Sequence, residues 1–321
     1  MSGVTQTRIL SAKTFLSSSN ERSRLSIHNH AYRSPGYTFP RICTSRHHVH
    51  RSVGVCATRE TELQDNSEAL EDYQADEAQE EYLQRILAFI SSFDKLAPYD
   101  AQIYNPALIL WKHVKKLSPE SRLRLLDELD FRGINKLWEI SQRLMTANPE
   151  QMLEAAGPDY SLMDEFPHLP GEAVVLEGRA SAPVVGLLGL DRFQKAFFRR
   201  RSDSQLMGRV LLNRGFVGDL LYPLYFSVDI QRAILPSTGE AADLSLSYLE
   251  PGALRLSRED LPEETWPSPG KHRFPFGDGL VDYVRPVGPG VLVGCGWKES
   301  PSNGLSSERF LTFVLVNGCR G

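Results

Sequence analysis

Residues 243–248 read Asp-Leu-Ser-Leu-Ser-Tyr, a strict alternation of polar and apolar side chains. Successive side chains of a β-strand point to opposite faces, so Leu244, Leu246 and Tyr248 would share one face of a sheet. Residues 226–230, Phe-Ser-Val-Asp-Ile, alternate in the same way. Both stretches therefore predict strands with one apolar face, and they decide the fold class of the second half of the chain.

Further apolar segments of strand length surround these two stretches. Residues that favour turns separate them, as at Glu250-Pro251-Gly252 and Gly288-Pro289-Gly290. Strands joined by turns rather than helices predict an antiparallel sheet that closes into a barrel over residues 170–318. The predicted strands are 172–177, 208–213, 220–234, 242–249, 253–256, 279–285, 291–297 and 309–316.

The first half of the chain has the spacing of amphipathic helices. Leu83, Ile86 and Ile90 form one apolar stripe, and the pairs Ser118-Pro119 and Asn148-Pro149 are typical of helix starts. A helical region is therefore expected over residues 81–160. Its predicted helices are 81–95, 107–117, 119–130, 134–145 and 149–156.

The net charge of −4 is the sum of two unlike parts of the 321-residue chain. Residues 1–56 contain eight basic residues and one acidic residue, a charge of +7, so the remainder carries −11. A segment rich in Ser and Arg and poor in acids is typical of an organelle transit peptide, which lacks the apolar surface needed for order. We therefore expect a disordered transit peptide over residues 1–56.

The end of this segment, Val53-Gly54-Val55-Cys56-Ala57, is similar to the processing site of chloroplast transit peptides. The expected location is the chloroplast, in the stroma or at the thylakoid, with the mitochondrion as the alternative. Residues 60–81 then contain ten acidic residues and no Lys or Arg. Residues 57–80 are therefore expected to form an acidic linker, or alternatively a docking tail for a basic partner. The acidic mature chain argues against a nucleic-acid partner, because phosphate binding needs a basic surface.

Signatures of metal sites and of common enzymes are missing from the sequence. Two of the four cysteines fall in the predicted transit peptide, and Cys295 and Cys319 lack the spacing of a zinc site. No Gly-x-Ser-x-Gly or P-loop motif occurs. We predict no metal, no cofactor and no catalytic residue. The alternative is a small-molecule enzyme that uses His272, Asp278 and Asp282 for acid–base chemistry.

One motif carries a family resemblance. Residues 247–258 read Ser-Tyr-Leu-Glu-Pro-Gly-Ala-Leu-Arg-Leu-Ser-Arg. With one residue inserted, they resemble the Tyr-Leu-Asp-x-x-Leu-Arg-x-x-Arg stretch near the end of plastid lipid-associated proteins, the fibrillins. That family is plastid-targeted and has a lipocalin-like β-barrel thought to hold small lipids or isoprenoids. The resemblance implies the same barrel here, with a small lipid, pigment or isoprenoid as ligand near thylakoid membranes.

In such a barrel, alternate side chains line the lumen. The expected apolar lining consists of Phe226, Val228, Leu244, Leu246, Tyr248 and Trp297. The alternative is that these residues only fill the interior. Arg255, Arg258 and Arg285 are expected near the mouth of the barrel, where a guanidinium group binds a carboxylate or phosphate, or instead pairs with local acids.

Residues 189–201 combine aromatic and basic side chains. On a helix, the aromatic residues would share one face and the basic residues the other, which is the pattern of a helix on an anionic membrane surface. We therefore predict a helix that contacts the membrane; packing against the barrel or binding an acidic protein are the alternatives. The predicted contact residues are Arg192, Phe193, Lys195, Phe197, Arg199 and Arg200.

Together these features predict an α+β chain: an N-terminal helical region followed by an antiparallel lipocalin-like β-barrel, preceded by a disordered transit peptide. The expected function is non-catalytic binding of a small lipid, pigment or isoprenoid in the plastid, with peripheral contact to the thylakoid membrane. The alternatives are an assembly or scaffold factor that docks through its helical half onto a plastid protein complex, and the enzyme named above.

Overall fold

Helices occupy the first part of the described chain and an antiparallel barrel the second, so the predicted fold class is confirmed. The computed structural model describes residues 60–95, 104–181, 191–212, 223–236, 238–273, 276, 279–298 and 308–318. The predicted transit peptide over residues 1–56, Asp278 and Cys319 lie outside the described residues.

Eight strands form a closed barrel, and each strand is antiparallel to both of its neighbours. The strands are β1 (Ala173–Ser181), β2 (Arg192–Arg199), β3 (Leu206–Leu212), β4 (Tyr225–Asp229), β5 (Ala233–Ile234), β6 (Ala241–Ala242), β7 (Leu244–Tyr248), β8 (Leu280–Gly288), β9 (Val291–Lys298) and β10 (Glu308–Val316). The order around the barrel is β1-β10-β9-β8-β7-β4-β3-β2, and β5 and β6 form a separate two-stranded sheet.

The helices are α1 (Glu60–Ser92), α2 (Pro106–Val114), α3 (Pro119–Glu128), α4 (Phe131–Gln142), α5 (Pro149–Ala156) and the short α6 (Pro251–Leu254). The described residues also include four short 3₁₀ segments, at Phe93–Lys95, Arg143–Thr146, Leu162–Glu165 and Arg258–Asp260. The predicted starts of α3 and α5 are confirmed: Ser118 accepts a hydrogen bond from the Ser121 amide, and Asn148 accepts one from the Gln151 amide.

Helix α1 starts earlier than the sequence pattern indicated. It begins at Glu60, so most of the stretch expected as an acidic linker over residues 57–80 belongs to this helix. Residues 60–92 contain no Gly or Pro and are rich in Glu, Gln, Ala and Leu, which are good helix formers. The apolar stripe that predicted the helix covers only its second half, where the helix packs against α2, α3 and α4.

Most of the predicted strands coincide with β1, β3, β4, β7, β8, β9 and β10. The strand expected at 253–256 is wrong, because the chain forms the helical turn α6 with Pro251 at its first position.

The helix expected over residues 189–201 is also wrong, because residues 192–199 form strand β2. The four-residue spacing of Phe193 and Phe197 puts them on one face of a helix, but it also puts them on one face of a strand. The strand forms because β2 makes ladders with β1 on one side and β3 on the other, and both rings are buried in the lumen.

Strands β8, β9 and β10 are buried on both faces. Their inward side chains, such as Val284 and Leu315, belong to the barrel interior. Their outward side chains, such as Val293 and Val314, pack with Leu137 of α4 and other helix residues in a second buried cluster. The helical region is therefore a layer on one outer wall of the barrel, and its apolar stripes are used within the chain.

Arg285 of β8 joins α4 to this wall. Its side chain is 0% exposed, and its guanidinium carbon lies 3.7 Å from the centre of the Trp138 ring. It donates hydrogen bonds to the carbonyl oxygens of Trp138, at 3.1 Å, and Ala241, at 2.7 Å. The prediction that Arg285 lies near the barrel mouth is wrong, because its outward position on β8 directs it under the helices.

Four inward-facing glycines make room for side chains of the neighbouring strands. A Cβ atom at Gly208 would lie 2.2 Å from the ring of Phe226, its register partner across β3 and β4. The other three register pairs of this kind are Gly178 with Phe193, Gly294 with Phe313, and Gly296 with Asp282. The lumen is thus filled by side chains that lie across a glycine of the next strand.

We expect Gly208→Ala to lower the free energy of unfolding by about 1–3 kcal/mol, because the added methyl group overlaps the Phe226 ring in a packed interior. Urea denaturation of both proteins measures the change. Gly252→Ala is the matched control, since no atom lies within 4 Å of its added Cβ, and it should change stability little. Equal effects of both substitutions would contradict the packing described for the lumen.

Candidate ligand site in the barrel lumen

Lys195 is buried inside the barrel. On β2 it shares the inward face with Phe193 and Phe197, and its exposed fraction is 2%. Its register partners are Leu176 of β1 and Val210 of β3, both of which also face the interior. A lysine in this position needs polar partners within the lumen, because an unpaired buried charge is strongly unfavourable.

Those partners come from the opposite wall. Lys195 forms a short ion pair with Asp282 of β8, and its Nζ donates a hydrogen bond to the hydroxyl oxygen of Tyr248 at 2.9 Å. The Tyr248 hydroxyl in turn donates to Oδ2 of Asp282 at 2.8 Å. The three side chains therefore form a closed polar group, called the lumen triad below. Because β2 and β8 lie four strands apart in either direction around the barrel, the triad spans the lumen.

Aromatic rings surround the ammonium group of the lumen triad. The Nζ atom of Lys195 lies 4.3 Å from the centre of the Phe313 ring, 5.2 Å from that of Phe226 and 5.5 Å from that of Tyr248. Cations near the face of an aromatic ring are stabilised electrostatically, and more so where water is excluded. The rings thus favour a positive charge at this position in an otherwise apolar lumen.

Burial changes the acid–base properties of the lumen triad. It lowers the pKa of Lys195 from its ordinary value, and the neighbouring charge of Asp282 offsets part of this effect. Burial, and after it the charge of Asp282, raises the pKa of Tyr248 well above its ordinary value. Tyr248 therefore keeps its proton at neutral pH and serves as a hydrogen-bond donor, while the amine of Lys195 loses a proton more readily than an exposed lysine does.

A small cavity adjoins the lumen triad. The volume open to the centres of water molecules is about 30 Å³, enough for a few waters. The described lining includes all three residues of the triad, and its other described members are apolar, namely Ala180, Phe193, Val210, Leu212, Leu224, Phe276, Leu280, Leu311 and Phe313. The cavity thus has a polar base and apolar walls, which is the common character of a small-molecule site.

The cavity lies toward one end of the barrel, called the upper end below, where β1, β3, β7 and β9 finish. Ala180, Leu212 and Leu280 of its lining are at or next to the strand ends there. The other end is closed by side chains: Phe166 is buried and its ring centre lies 4.9 Å from that of Phe197. Among the described residues, the space for a ligand is therefore confined to the upper half of the lumen.

His272 also lies near this cavity. Its buried ring packs edge-on against Tyr248, with 6.2 Å between the ring centres. The structure thus brings two of the three residues of the enzymatic alternative, His272 and Asp282, into contact with one tyrosine, whereas Asp278 lies outside the described residues. The enzymatic alternative itself stays a prediction.

The structure places most of the expected apolar lining inside the barrel. These residues, all in the interior cluster, are Phe226, Val228, Leu244, Leu246 and Tyr248. Only Tyr248 among them borders the cavity, and the other four fill the interior. Trp297 is placed wrongly by the sequence pattern: it faces outward from β9 into the helix layer. The stretch Val291–Lys298 is apolar on both faces. It therefore lacks the polar–apolar alternation that would show which side chains point inward.

The two other arginines expected at the mouth lie on the outside of the barrel. Arg255 is exposed, with a left-handed backbone conformation (φ 49°) at the end of α6. Arg258 is exposed and donates a hydrogen bond to the carbonyl oxygen of Glu264 at 2.7 Å. Neither residue borders the cavity. The segment that carries them packs Leu254 and Trp266 against the outer face of the barrel.

The membrane-contact surface expected from residues 189–201 is not formed, because strand β2 buries Phe193, Lys195 and Phe197 in the lumen. The basic residues of the set have partners within the chain: Arg192 pairs with Asp127 at 2.6 Å, Arg199 donates to the Pro167 carbonyl oxygen at 2.7 Å, and Arg200 pairs with Asp203 at 2.5 Å. In the described part of the chain, no helix has the length and apolar character needed to cross a membrane.

Sequence reasoning missed Lys195 as a lumen residue. The signal was present, since Phe193, Lys195 and Phe197 recur at every second position and would share one face of a strand. The basic run that follows them favoured a helical interpretation instead. The partnership with Asp282, 87 positions later, exists only once the barrel closes.

Lys195→Met should lower the free energy of unfolding by about 3–5 kcal/mol, because Asp282 is left as a buried charge without its cation. The double variant Lys195→Met/Asp282→Asn should be more stable than the single variant. Denaturant unfolding of the natural chain, Lys195→Met, Asp282→Asn and the double variant measures this coupling. Lys112→Met, which breaks an exposed ion pair with Glu154, is the control and should change stability little. Simple addition of the two single effects in the double variant would contradict the lumen triad.

No family model matches the sequence, and neither a curated protein nor a solved structure matches the chain. The closed barrel of eight antiparallel strands is consistent with the lipocalin-like barrel expected above. The resemblance of residues 247–258 to the fibrillins stays a prediction. The functional interpretation therefore rests on the lumen triad and its cavity.

Proposed function

We propose that this chain is a plastid-targeted, non-catalytic binding protein whose barrel holds a small lipid or short isoprenoid near the thylakoid membrane. The ligand is an apolar molecule with one neutral oxygen-containing head group. Its head contacts the lumen triad and its apolar tail extends toward the upper end of the barrel. The observation that carries the proposal is a cavity with a polar base and apolar walls inside a closed barrel.

The presence of the lumen triad supports a binding role. Apolar residues of similar volume would fill a barrel interior at least as stably as a buried ion pair does. Polar groups with shifted pKa values beside a cavity are, in contrast, frequent at functional sites. Lys195 and Tyr248 meet both conditions, since they border the cavity and have shifted pKa values, and Asp282 borders the cavity beside them.

The electrostatics of the lumen triad favour a neutral head group. The charge of Lys195 is already balanced by Asp282, so a ligand carboxylate at the same place would stand beside a second carboxylate. An alcohol, aldehyde or ketone avoids this repulsion and accepts a hydrogen bond from the third proton of the Lys195 ammonium, whose other two are donated to Tyr248 and Asp282. The small cavity volume favours short chains over bulky pigments.

The location in the plastid is supported by the charge of residues 1–56 and by the resemblance of residues 247–258 to plastid lipid-associated proteins. The alternative of a scaffold factor has less support, because the apolar faces of α1 to α4 pack against one another and on the barrel.

Titration of the full chain with hexanol or geraniol should give saturable NMR chemical-shift changes for residues around the cavity. Ala180→Leu should weaken binding by about tenfold or more, which corresponds to about 1.4 kcal/mol, because the larger side chain fills the cavity without touching the lumen triad. Ala253→Leu on the exposed face of α6 is the matched control and should leave binding unchanged. The proposal fails if neither alcohol binds, or if Ala180→Leu binds as well as the natural chain.

A fusion of residues 1–56 to a fluorescent protein should accumulate in the chloroplasts of a plant or algal cell. The same reporter fused to the chain from residue 57 onward should remain outside the organelle. Fluorescence microscopy with a chlorophyll image distinguishes the two results. Accumulation in mitochondria would overturn the plastid assignment and leave the ligand proposal standing.

A further inference from the structure

We propose that Lys195 binds the carbonyl carbon of a small aldehyde or ketone as a reversible imine inside the barrel. This inference rests on the proposed function, because it assigns the chemical class of the head group at the same site. In this inference, the head group of the ligand is bonded covalently to Lys195, whereas in the proposed function it is held by a hydrogen bond. The lysine thereby becomes the residue that selects carbonyl compounds over the corresponding alcohols.

The geometry provides the amine and the space beside it. Lys195 is the amine among the residues that line the cavity, and its side chain is 3% exposed. The walls next to it are apolar, with Val210 and Leu212 on the neighbouring strand β3 and Phe313 on β10, two strands away. An aliphatic chain attached at the Nζ atom would therefore lie against apolar side chains.

The bond changes of this step balance without a further reagent. The C–N bond forms between Nζ of Lys195 and the carbonyl carbon, and the carbon–oxygen bond of the carbonyl breaks. The oxygen leaves as water and takes two of the three protons of the ammonium group. The product is a protonated imine with the same single positive charge as the original ammonium, so the charge balance with Asp282 is unchanged.

The other two members of the lumen triad assist this step. Asp282 accepts a proton from the ammonium, which frees the nitrogen lone pair, and returns it to the departing oxygen. Once Asp282 holds this proton, the Tyr248 hydroxyl, 2.9 Å from the Nζ atom, can turn from Oδ2 of Asp282 and donate its one hydrogen bond to the carbonyl oxygen as the carbon–nitrogen bond forms. The lowered pKa of Lys195 increases the fraction of free amine, as in other buried nucleophilic lysines.

The environment also favours retention of the imine once it has formed. Hydrolysis requires water at the carbon atom, and the cavity holds only a few water molecules. The aromatic rings of Phe226 and Phe313 lie near the nitrogen and stabilise its positive charge. An imine on an exposed lysine has neither protection, so Lys195 differs from the surface lysines in both formation and persistence.

The experiment treats the full chain with hexanal and sodium cyanoborohydride at neutral pH, which reduces a protonated imine to a stable secondary amine. Peptide mass spectrometry then compares hexyl labelling at Lys195 with labelling at the exposed Lys112 and Lys271. We expect labelling at Lys195 to exceed that at each exposed lysine severalfold, because burial lowers the pKa of Lys195 and leaves a larger fraction of its amine unprotonated. A parallel NMR titration with hexanol reports non-covalent binding.

Two variants separate the chemistry from folding. Lys195→Arg keeps the positive charge beside Asp282 and should lose the preferred label. If that variant does not fold, Ala180→Leu keeps the amine and fills the cavity, and it should lose labelling at Lys195 while Lys112 reacts as before. Binding of hexanol together with labelling confined to exposed lysines would overturn the imine and leave the proposed function intact. Absence of both hexanol binding and Lys195 labelling would overturn both.

Discussion

The ion pair between Lys195 and Asp282 is the interaction on which the barrel interior depends. Its two residues belong to opposite walls, so it fixes the distance across the lumen. A buried pair is stable only if its geometry is close and its remaining hydrogen-bonding groups are satisfied. Tyr248 meets the second condition, and the rings around the ammonium need space. That space comes from glycines on neighbouring strands, such as Gly208 under Phe226 and Gly294 under Phe313.

The position of the helix layer is related to the same ion pair, because the helices cover the outer face of the strand that carries Asp282. Asp282 must be held in place on β8, and β8 has apolar residues on its outer face as well. Those residues are covered by the helices, and Arg285 anchors α4 to the strand by hydrogen bonds and stacking on Trp138. The helical half is therefore a support for the wall that carries the carboxylate. A separate docking module would keep an apolar face for its partner, whereas these helices bury theirs in a shared core.

The sequence predicts those strands and helices in which one face is apolar and buried while the other face is polar and more exposed. Strand β7 alternates because its outer side chains are partly exposed, and α4 has an apolar stripe because one side meets the barrel. Strand β9 is apolar on both faces, so the inward or outward direction of Trp297 could not be predicted. Strand β2 was not predicted, because its inward face carries the charged residue Lys195, whereas the inward face of a barrel strand is usually apolar. The lumen triad unites residues far apart in the sequence, and no local pattern encodes it.

The orientation of the proposed ligand follows from the positions of polar and apolar side chains along the lumen. The helix layer covers β8 to β10 from outside, and Phe166 fills the lower end against Phe197. Among the described residues, the cavity lies in the upper half of the lumen. Lys195 is one inward position deeper than Phe193 on β2, so the polar base of the cavity lies beneath its apolar walls. A ligand of the proposed kind would therefore place its polar head at the lumen triad and its apolar tail toward the upper end. This arrangement suits a short-chain molecule with a terminal oxygen better than one whose polar group lies in the middle of a long chain.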